Sequence, residues 1–318
     1  MDANKVRNQT SRRAPKGRPA TVQEHNTTRL CFVTTCMGRL FQLKQTIGRI
    51  AEQADSSCVV VDYSCPDGCG DWVAANHPNV TVVRVEDARD FNASRARNLG
   101  VRAANSPWLC FLDADILLAP DFADQLFSSL QPGRFYRGPD ALGTCGTFVC
   151  SREDFERAGG YDEVIRGYGG EDRDLYDLLE FVGATPDTLA TPVEHLEHSH
   201  SLRAQHHAEK NVLVSALRNR VYRAMKLDLM RVLGEALTLS ARQRLYERVS
   251  LMVHESPREH ARSFRLALPM RQRDMMPVSA QEACVLESKL SYELKYVRIN
   301  EPGSAKFSNG ASPKRGRS

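Results

Sequence analysis

No apolar run in this 318-residue sequence approaches the roughly 18 residues that a membrane-spanning helix needs, and its N-terminus has no hydrophobic signal core. Both absences predict a cytoplasmic protein, at most peripheral to the inner face of a membrane. No Gly-x-Gly-x-x-Gly follows the first predicted strand, and no Gly-Lys-Ser/Thr phosphate loop occurs. Dinucleotide dehydrogenases, phosphate-loop ATPases and nucleotidyltransferases with a glycine- and lysine-rich loop are thereby disfavoured. There are nine cysteines but no disulfide framework, since Cys31, Cys58, Cys110 and Cys150 sit in or beside apolar runs. Cys65 and Cys69 lack a second pair at finger-like spacing, so the pattern predicts no zinc site. Excess positive charge is missing from the body: the net charge is +4, yet residues 1–30 carry +5 and residues 301–318 carry +3, leaving −4 between them. The tails are polar and poor in large apolar residues, which predicts disorder without a specific nucleic-acid role.

What is present centres on Trp108-Leu109-Cys110-Phe111-Leu112-Asp113-Ala114-Asp115. Five apolar or aromatic residues followed by acids read as a buried strand that delivers charge to a sheet edge. In an extended chain alternate residues share a face, so Asp113 and Asp115 are expected to point the same way. Further strands are predicted at Leu30 to Thr35, Cys58 to Val61 and Val80 to Val85. Helical spacing of Leu40, Leu43, Ile47 and Ile50, and of Phe91 to Ala104, lies between them. Strands alternating with helices predict an α/β fold with a mostly parallel sheet, whose ligands sit at the carboxyl ends of the strands.

Two later stretches carry chemistry. Gly167-Tyr168-Gly169-Gly170-Glu171-Asp172 sets glycines around one aromatic and then two acids at a predicted helix start, which gives a ligand room to approach and a ring to stack on. His195 and His198 are three apart, a spacing that on a helical turn puts both imidazoles on one face. A solvated polar loop rich in His is the other reading of that stretch.

Together these stretches resemble the GT-A fold glycosyltransferases, and among them the β-1,4-galactosyltransferase-like branch and family 2-type enzymes. The resemblance runs from Arg39 through the Phe91-Asn92-x5-Asn98-x-Gly100 spacing, Asp113 and Asp115, Gly146 and Gly167–Asp172 to His198-Ser199. It implies a GT-A catalytic domain over 29–205, between a basic tail at 1–28 and a mainly helical extension at 206–300, with a second basic tail at 301–318. It implies that Asp115 and His198 bind a divalent cation, with His195 standing where relatives carry methionine, so that Mn²⁺ and Mg²⁺ both fit. Arg39, Asp62, Phe91, Arg97 and Asp113 would bind a UDP-sugar donor. Arg97 or Arg95 would replace the arginine that relatives carry at Ala93. Tyr168, Gly170 and Glu171 would bind a glycan or lipid-linked acceptor, and Gly143 would leave room for an N-acetylhexosamine.

The implied reaction is a metal-dependent inverting transfer of a hexose or N-acetylhexosamine. Asp172 would act as general base and Glu171 would orient the acceptor, though the two roles are interchangeable on sequence alone. The segment Gly138 to Cys145, or the His-rich segment, would order over the donor. The alternative is a non-catalytic sugar-nucleotide or glycan-binding relative. Beyond His207 the resemblance ends. Residues 208–253 have apolar helical spacing with many arginines, expected to face the core of the protein more readily than an anionic membrane surface. Ser279 to Arg298 is read as a helix and a short strand.

Overall fold

The computed structural model describes residues 28–138, 144, 146–196, 205–255, 261–275 and 284–297. The chain opens with β1 (Leu30–Cys36), α1 (Leu40–Ala51), β2 (Ser56–Tyr63), α2 (Cys69–Asn76), β3 (Thr81–Val85), α3 (Ala93–Ala103) and β4 (Trp108–Asp113). It continues through β5 (Ile116–Leu118), α4 (Phe122–Phe127), β6 (Arg134–Arg137), β7 (Phe148–Ser151), α5 (Arg152–Arg157), α6 (Glu171–Phe181), β8 (Thr185–Thr188) and β9 (Val193–His195). The C-terminal part holds α7 (Val212–Leu233), α8 (Leu239–Glu255), β10 (Ala261–Met275) and β11 (Cys284–Val297).

Seven strands form the central sheet in the order β3-β2-β1-β4-β7-β6-β8. The β3-β2-β1-β4 half is parallel throughout, and β7 then joins β4 antiparallel. Because strand side chains alternate, β1 sends Leu30, Phe32 and Cys36 to one core cluster and Cys31 and Val33 to another. Leu43, Ile47 and Ile50 of α1 fill the first face, and Ala96 and Val101 of α3 with Leu175 and Leu179 of α6 fill the second. Gly100 lets α3 approach closely, since a Cβ there would collide with Val33 and meet Val61 at 3.1 Å.

The strip of sequence around Phe91 is mainly a bracket. Asn92 caps α3 by accepting from Arg95 N at 3.0 Å, and its amide donates to Glu163 O. Asn98 both donates to Tyr161 O at 2.9 Å and accepts from Tyr161 N at 3.0 Å, which holds the chain entering the glycine-rich loop against α3.

In the C-terminal extension, α7 and α8 pack their apolar residues against Val164 and Ile165. Beyond them comes an antiparallel two-stranded ribbon, β10–β11, whose second strand occupies the stretch from Ser279 to Arg298 that was expected to hold a helix and a short strand. Tyr292 and Leu294 pack partly buried on the α7–α8 core while Ser291, Glu293 and Lys295 are exposed. That period of two identifies the strand, but most of the segment is too polar to announce it. Among the described residues no helix is long and apolar enough to cross a membrane.

Candidate functional site

A cavity of about 400 Å³ opens at the carboxyl ends of β1 and β4, a size within the usual range for ligand pockets of about 300–1,000 Å³. Its walls are contributed by the loop after β1, the turn after β4, the start of α3, the glycine-rich loop, β9 and the segment at His206 and His207.

One end of the cavity gathers Arg39, Asp115 and His195. Gly38 precedes Arg39 with φ +68°, and a Cβ at Gly38 would collide with the His206 imidazole, so this backbone needs glycine. Arg39 Nη1 is buried and makes no hydrogen bond among the described residues, although it lies 3.7 Å from Asp115 Oδ2. Asp115 is not in extended chain with Asp113, as the alternation argument expected, because the backbone turns at Ala114-Asp115. Thr46 of α1 donates to Ala114 O at 2.9 Å and Leu196 N donates to Asp115 O at 2.9 Å, fixing that turn from both sides. His195 sits on β9, opposite Ile116 of β5 in an antiparallel pair, and not on the helical turn that its spacing from His198 suggested. Its Nε2 is 3.7 Å from Asp115 Oδ2. His198 lies outside the described residues, as do Gly143 and most of Gly138 to Cys145.

At the other end Arg97, only 3% exposed, joins three acids. Its Nη2 lies 2.9 Å from Asp113, and its Nη1 lies 3.1 Å from Glu171 and 3.0 Å from Asp172. The arginine expected to reach a nucleotide therefore faces the catalytic candidates, while Arg95 is exposed. Asp113 keeps 49% of its side chain open, and a Cβ at Gly146 would come within 2.8 Å of its carboxylate, which explains why glycine stands there. Tyr161 donates to Asp172 Oδ1 at 3.3 Å. Burial pushes the Asp172 carboxyl up to about 8, with Glu171 and Asp113 adding to the shift and Arg97 opposing it. An acid whose folded pKa exceeds its unfolded value costs stability as pH rises between the two. The Asp172→Asn variant is thus expected to match wild type in Tm near pH 4 and to exceed it by a margin that grows up to about pH 8; thermal unfolding across that range checks this.

The glycine-rich loop is built by positive φ at Gly167, Gly169 and Gly170, the last capping α6. Tyr168 N donates to Ser215 Oγ of α7 at 2.8 Å, and Asn219 of α7 donates to Gly169 O at 2.7 Å and to Arg166 O at 3.0 Å. The loop expected to hold the acceptor is therefore held by the extension. Asp62 is not among the cavity walls; its carboxylate accepts from Cys65 N at 2.8 Å and Gly70 N at 3.0 Å, closing the loop after β2. Phe91 is a wall residue, edge-on to Tyr63 and tilted against His207. His207, to which the sequence reading gave no role, is 6% exposed, and its Nδ1 lies 3.2 Å from Phe91 O. Burial lowers its pKa, so the neutral ring donates from Nδ1 to that carbonyl. Its clue in the sequence was only that it lay within a cluster of histidines.

The residues at the first end suit a divalent cation. A carboxylate and an imidazole 3.7 Å apart are closer than two metal–ligand bonds of about 2.1 Å laid end to end. Four carboxylates and three arginines line the cavity, and because the Asp172 carboxyl is pushed up to about 8, the fixed charges near neutral pH are closely balanced before any phosphate enters.

Residues 31–137 match the model described as glycosyl transferase family 2, and residues 127–202 match that described as N-terminal domain of galactosyltransferase. Among solved structures, S. aureus TarS aligns with a TM-score of 0.50 at 12% identity, covering 71% of this chain and 43% of that one. The mannosyltransferase PcManGT of Pyrobaculum calidifontis, in complex with GDP-Man and Mn²⁺, aligns at 0.48 and 17% identity, covering 72% and 70%. TarS 1–349 in complex with UDP-GlcNAc aligns at 0.48 and 12%, covering 71% and 72%. No curated protein matches the sequence.

Proposed function

The chain belongs to glycosyl transferase family 2, with a GT-A fold, and on that premise we propose that it is a metal-dependent inverting enzyme. In this reading it moves a hexose or N-acetylhexosamine from a UDP-sugar to a glycan or glycolipid acceptor. One observation carries it: a single cavity joins a cationic and metal-ligating end, Arg39, Asp115 and His195, to a basic end, Asp172 beside Glu171.

Asp115 and His195, with His198, would hold Mn²⁺ or Mg²⁺, which when bound supplies Lewis-acid stabilisation of the charge that grows on the leaving diphosphate. Arg39 directs its buried Nη1 at the same region and contributes a fixed positive charge that needs no reorganisation. Asp113, open to the cavity and anchored by Arg97, is placed to accept hydroxyls of the donor ribose or sugar. Tyr168 offers a ring to an acceptor sugar, and the backbone at Gly170 gives it close approach.

Asp172 then takes the proton of the acceptor hydroxyl as that oxygen forms its bond to the anomeric carbon. The bond from that carbon to the diphosphate breaks with its electron pair on the leaving oxygen. One in-line displacement inverts the anomeric configuration. Glu171, held by Arg97, orients the acceptor. His206 and His207 close the side near Phe91 and limit water.

Calorimetric titration with UDP and UDP-sugars, in Mn²⁺, in Mg²⁺ and in chelator, tests the reading. One UDP-sugar is expected to bind only with metal, and Asp115→Ala is expected to weaken it by about 100-fold or more, since losing a ligand costs at least as much as the roughly 10–100-fold of losing a partner that only orients one. Absence of nucleotide binding with either metal would leave the glycan-binding alternative.

A further inference from the structure

Three cysteines that the sequence pattern leaves without a second pair converge in the fold. Cys36 ends β1, Cys65 lies in the turn after β2 and Cys69 opens α2. Their sulfurs all lie within 4.8 Å of one another, the one grouping of this kind among the described residues. Cys36 Sγ and Cys65 Sγ are 3.8 Å apart, which equals the edge of a tetrahedron built on Zn–S bonds of about 2.3 Å.

The backbone around the cluster is built as a thiolate cage would require. Gly38 N–H donates to Cys65 Sγ at 3.3 Å. Such a donor takes up part of the charge of metal-bound sulfur. The Cys65-Pro66-Asp67-Gly68-Cys69 turn is closed by Gly68 N donating to Cys65 O at 3.1 Å, with Gly68 at φ +65°. Three intervening residues fall within the spacing of about two to four that structural zinc sites use. Cys36 and Cys69 are buried and Cys65 is partly exposed, which leaves an ion a way in. A disulfide would use two of the three thiols and need an oxidant; a cation uses all three.

We propose that Cys36, Cys65 and Cys69 bind a zinc ion as three thiolates, at a structural site separate from Asp115 and His195. Each thiol releases its proton to solvent as its Zn–S bond forms, and a water completes the coordination. The ion ties the end of β1, three residues before Arg39, to the loop that Asp62 closes. It thereby fixes one wall of the cavity without taking part in transfer.

The test is zinc content by mass spectrometry on the full chain purified without chelator, with Co²⁺ replacement as a spectroscopic probe. Wild type is expected to carry about one zinc, and Co²⁺ is expected to give the intense near-ultraviolet thiolate charge-transfer band of a site with several sulfur ligands. Cys36→Ser, Cys65→Ser and Cys69→Ser should each lose the zinc and the band, and removing zinc should lower the Tm of wild type. Cys31→Ser and Asp115→Ala should keep both signals, so this proposal and the donor-site reading fail independently. Where a cysteine variant does not fold, the wild-type cobalt spectrum decides. A wild type that neither carries zinc nor develops the band overturns the proposal, and so does zinc that persists in folded cysteine variants.

Discussion

Asp172→Asn is expected to lower kcat for sugar transfer by about 10²–10⁴-fold, the usual contribution of a positioned general base, while donor affinity stays near that of wild type. The asymmetry follows from position. Asp172 stands at the start of α6, 3.0 Å from Arg97, whereas Arg39 and Asp115 pair with each other at 3.7 Å. In the proposed mechanism Asp172 takes the acceptor's proton, while Arg39, Asp115 and His195 serve the diphosphate. Because its carboxyl is pushed up to about 8, only the fraction ionised at a given pH is competent. Wild-type kcat/KM should therefore rise with pH and level off above about 8, and the residual rate of Asp172→Asn should lack that limb. Glu171→Gln provides the discriminating control. Glu171 is one of the charges that raise Asp172, so its neutralisation should move the limb to lower pH and raise the acceptor KM, with a smaller loss in kcat. If Glu171→Gln instead abolishes the limb and Asp172→Asn keeps it, the two acids exchange roles.

The parts of this site that could be read in the sequence are those whose chemistry is local. The strands β1, β2 and β4 are runs of buried apolar residues between turn signals, and such runs announce themselves whatever the rest of the chain does. The short strands β6, β7 and β8 do not: Thr185–Thr188 contains a proline and is exposed along its length, so neither period nor composition marks it. Asp113 and Asp115 were legible as a pair, but not their separation into two clusters, because the turn at Ala114 is imposed by Thr46 and Leu196, residues far away in sequence. His195 was found through a helical spacing that the chain does not adopt; its pairing with Ile116 reflects contacts across 79 residues. Arg97 was read as a donor-binding arginine, and only the fold reveals that three acids from two segments, Asp113 at the end of β4 and Glu171 and Asp172 of α6, converge on it. The same limit concealed the Cys36 partner of Cys65 and Cys69. Periodicity reports which face a residue is on, and topology alone decides what that face meets.

Lys226→Met is expected to cost about 3–5 kcal/mol of stability, the range for removing one partner from a buried ion pair. Lys226 Nζ is 3.0 Å from Asp162 and 2.6 Å from Asp174, and all three side chains are buried to within 2%. Asp162 retains Tyr222 and Arg242, at 2.7 Å and 2.6 Å. Asp174 is left deeply buried with its cation gone. Burial already pushes the Asp174 carboxyl up to about 6 against the opposing effect of Lys226, so losing the lysine raises it further. A folded pKa above the unfolded one costs nothing below about pH 4 and costs progressively more as pH rises. The deficit of Lys226→Met should accordingly be larger at pH 8 than at pH 5, as measured by urea unfolding at both. Adding Asp174→Asn removes the stranded charge, so the double variant should recover much of the loss and lose its pH dependence. The defect should reach catalysis too, because Asp174 lies in the first turn of α6 with Glu171 and Asp172. Through Lys226 that turn is locked to α7, whose Ser215 and Asn219 hold the glycine-rich loop. The helices α7 and α8 are thus the support on which Asp172 and the glycine-rich loop are set, and under the proposed mechanism a substitution on α7 that touches no substrate should lower kcat and stability together.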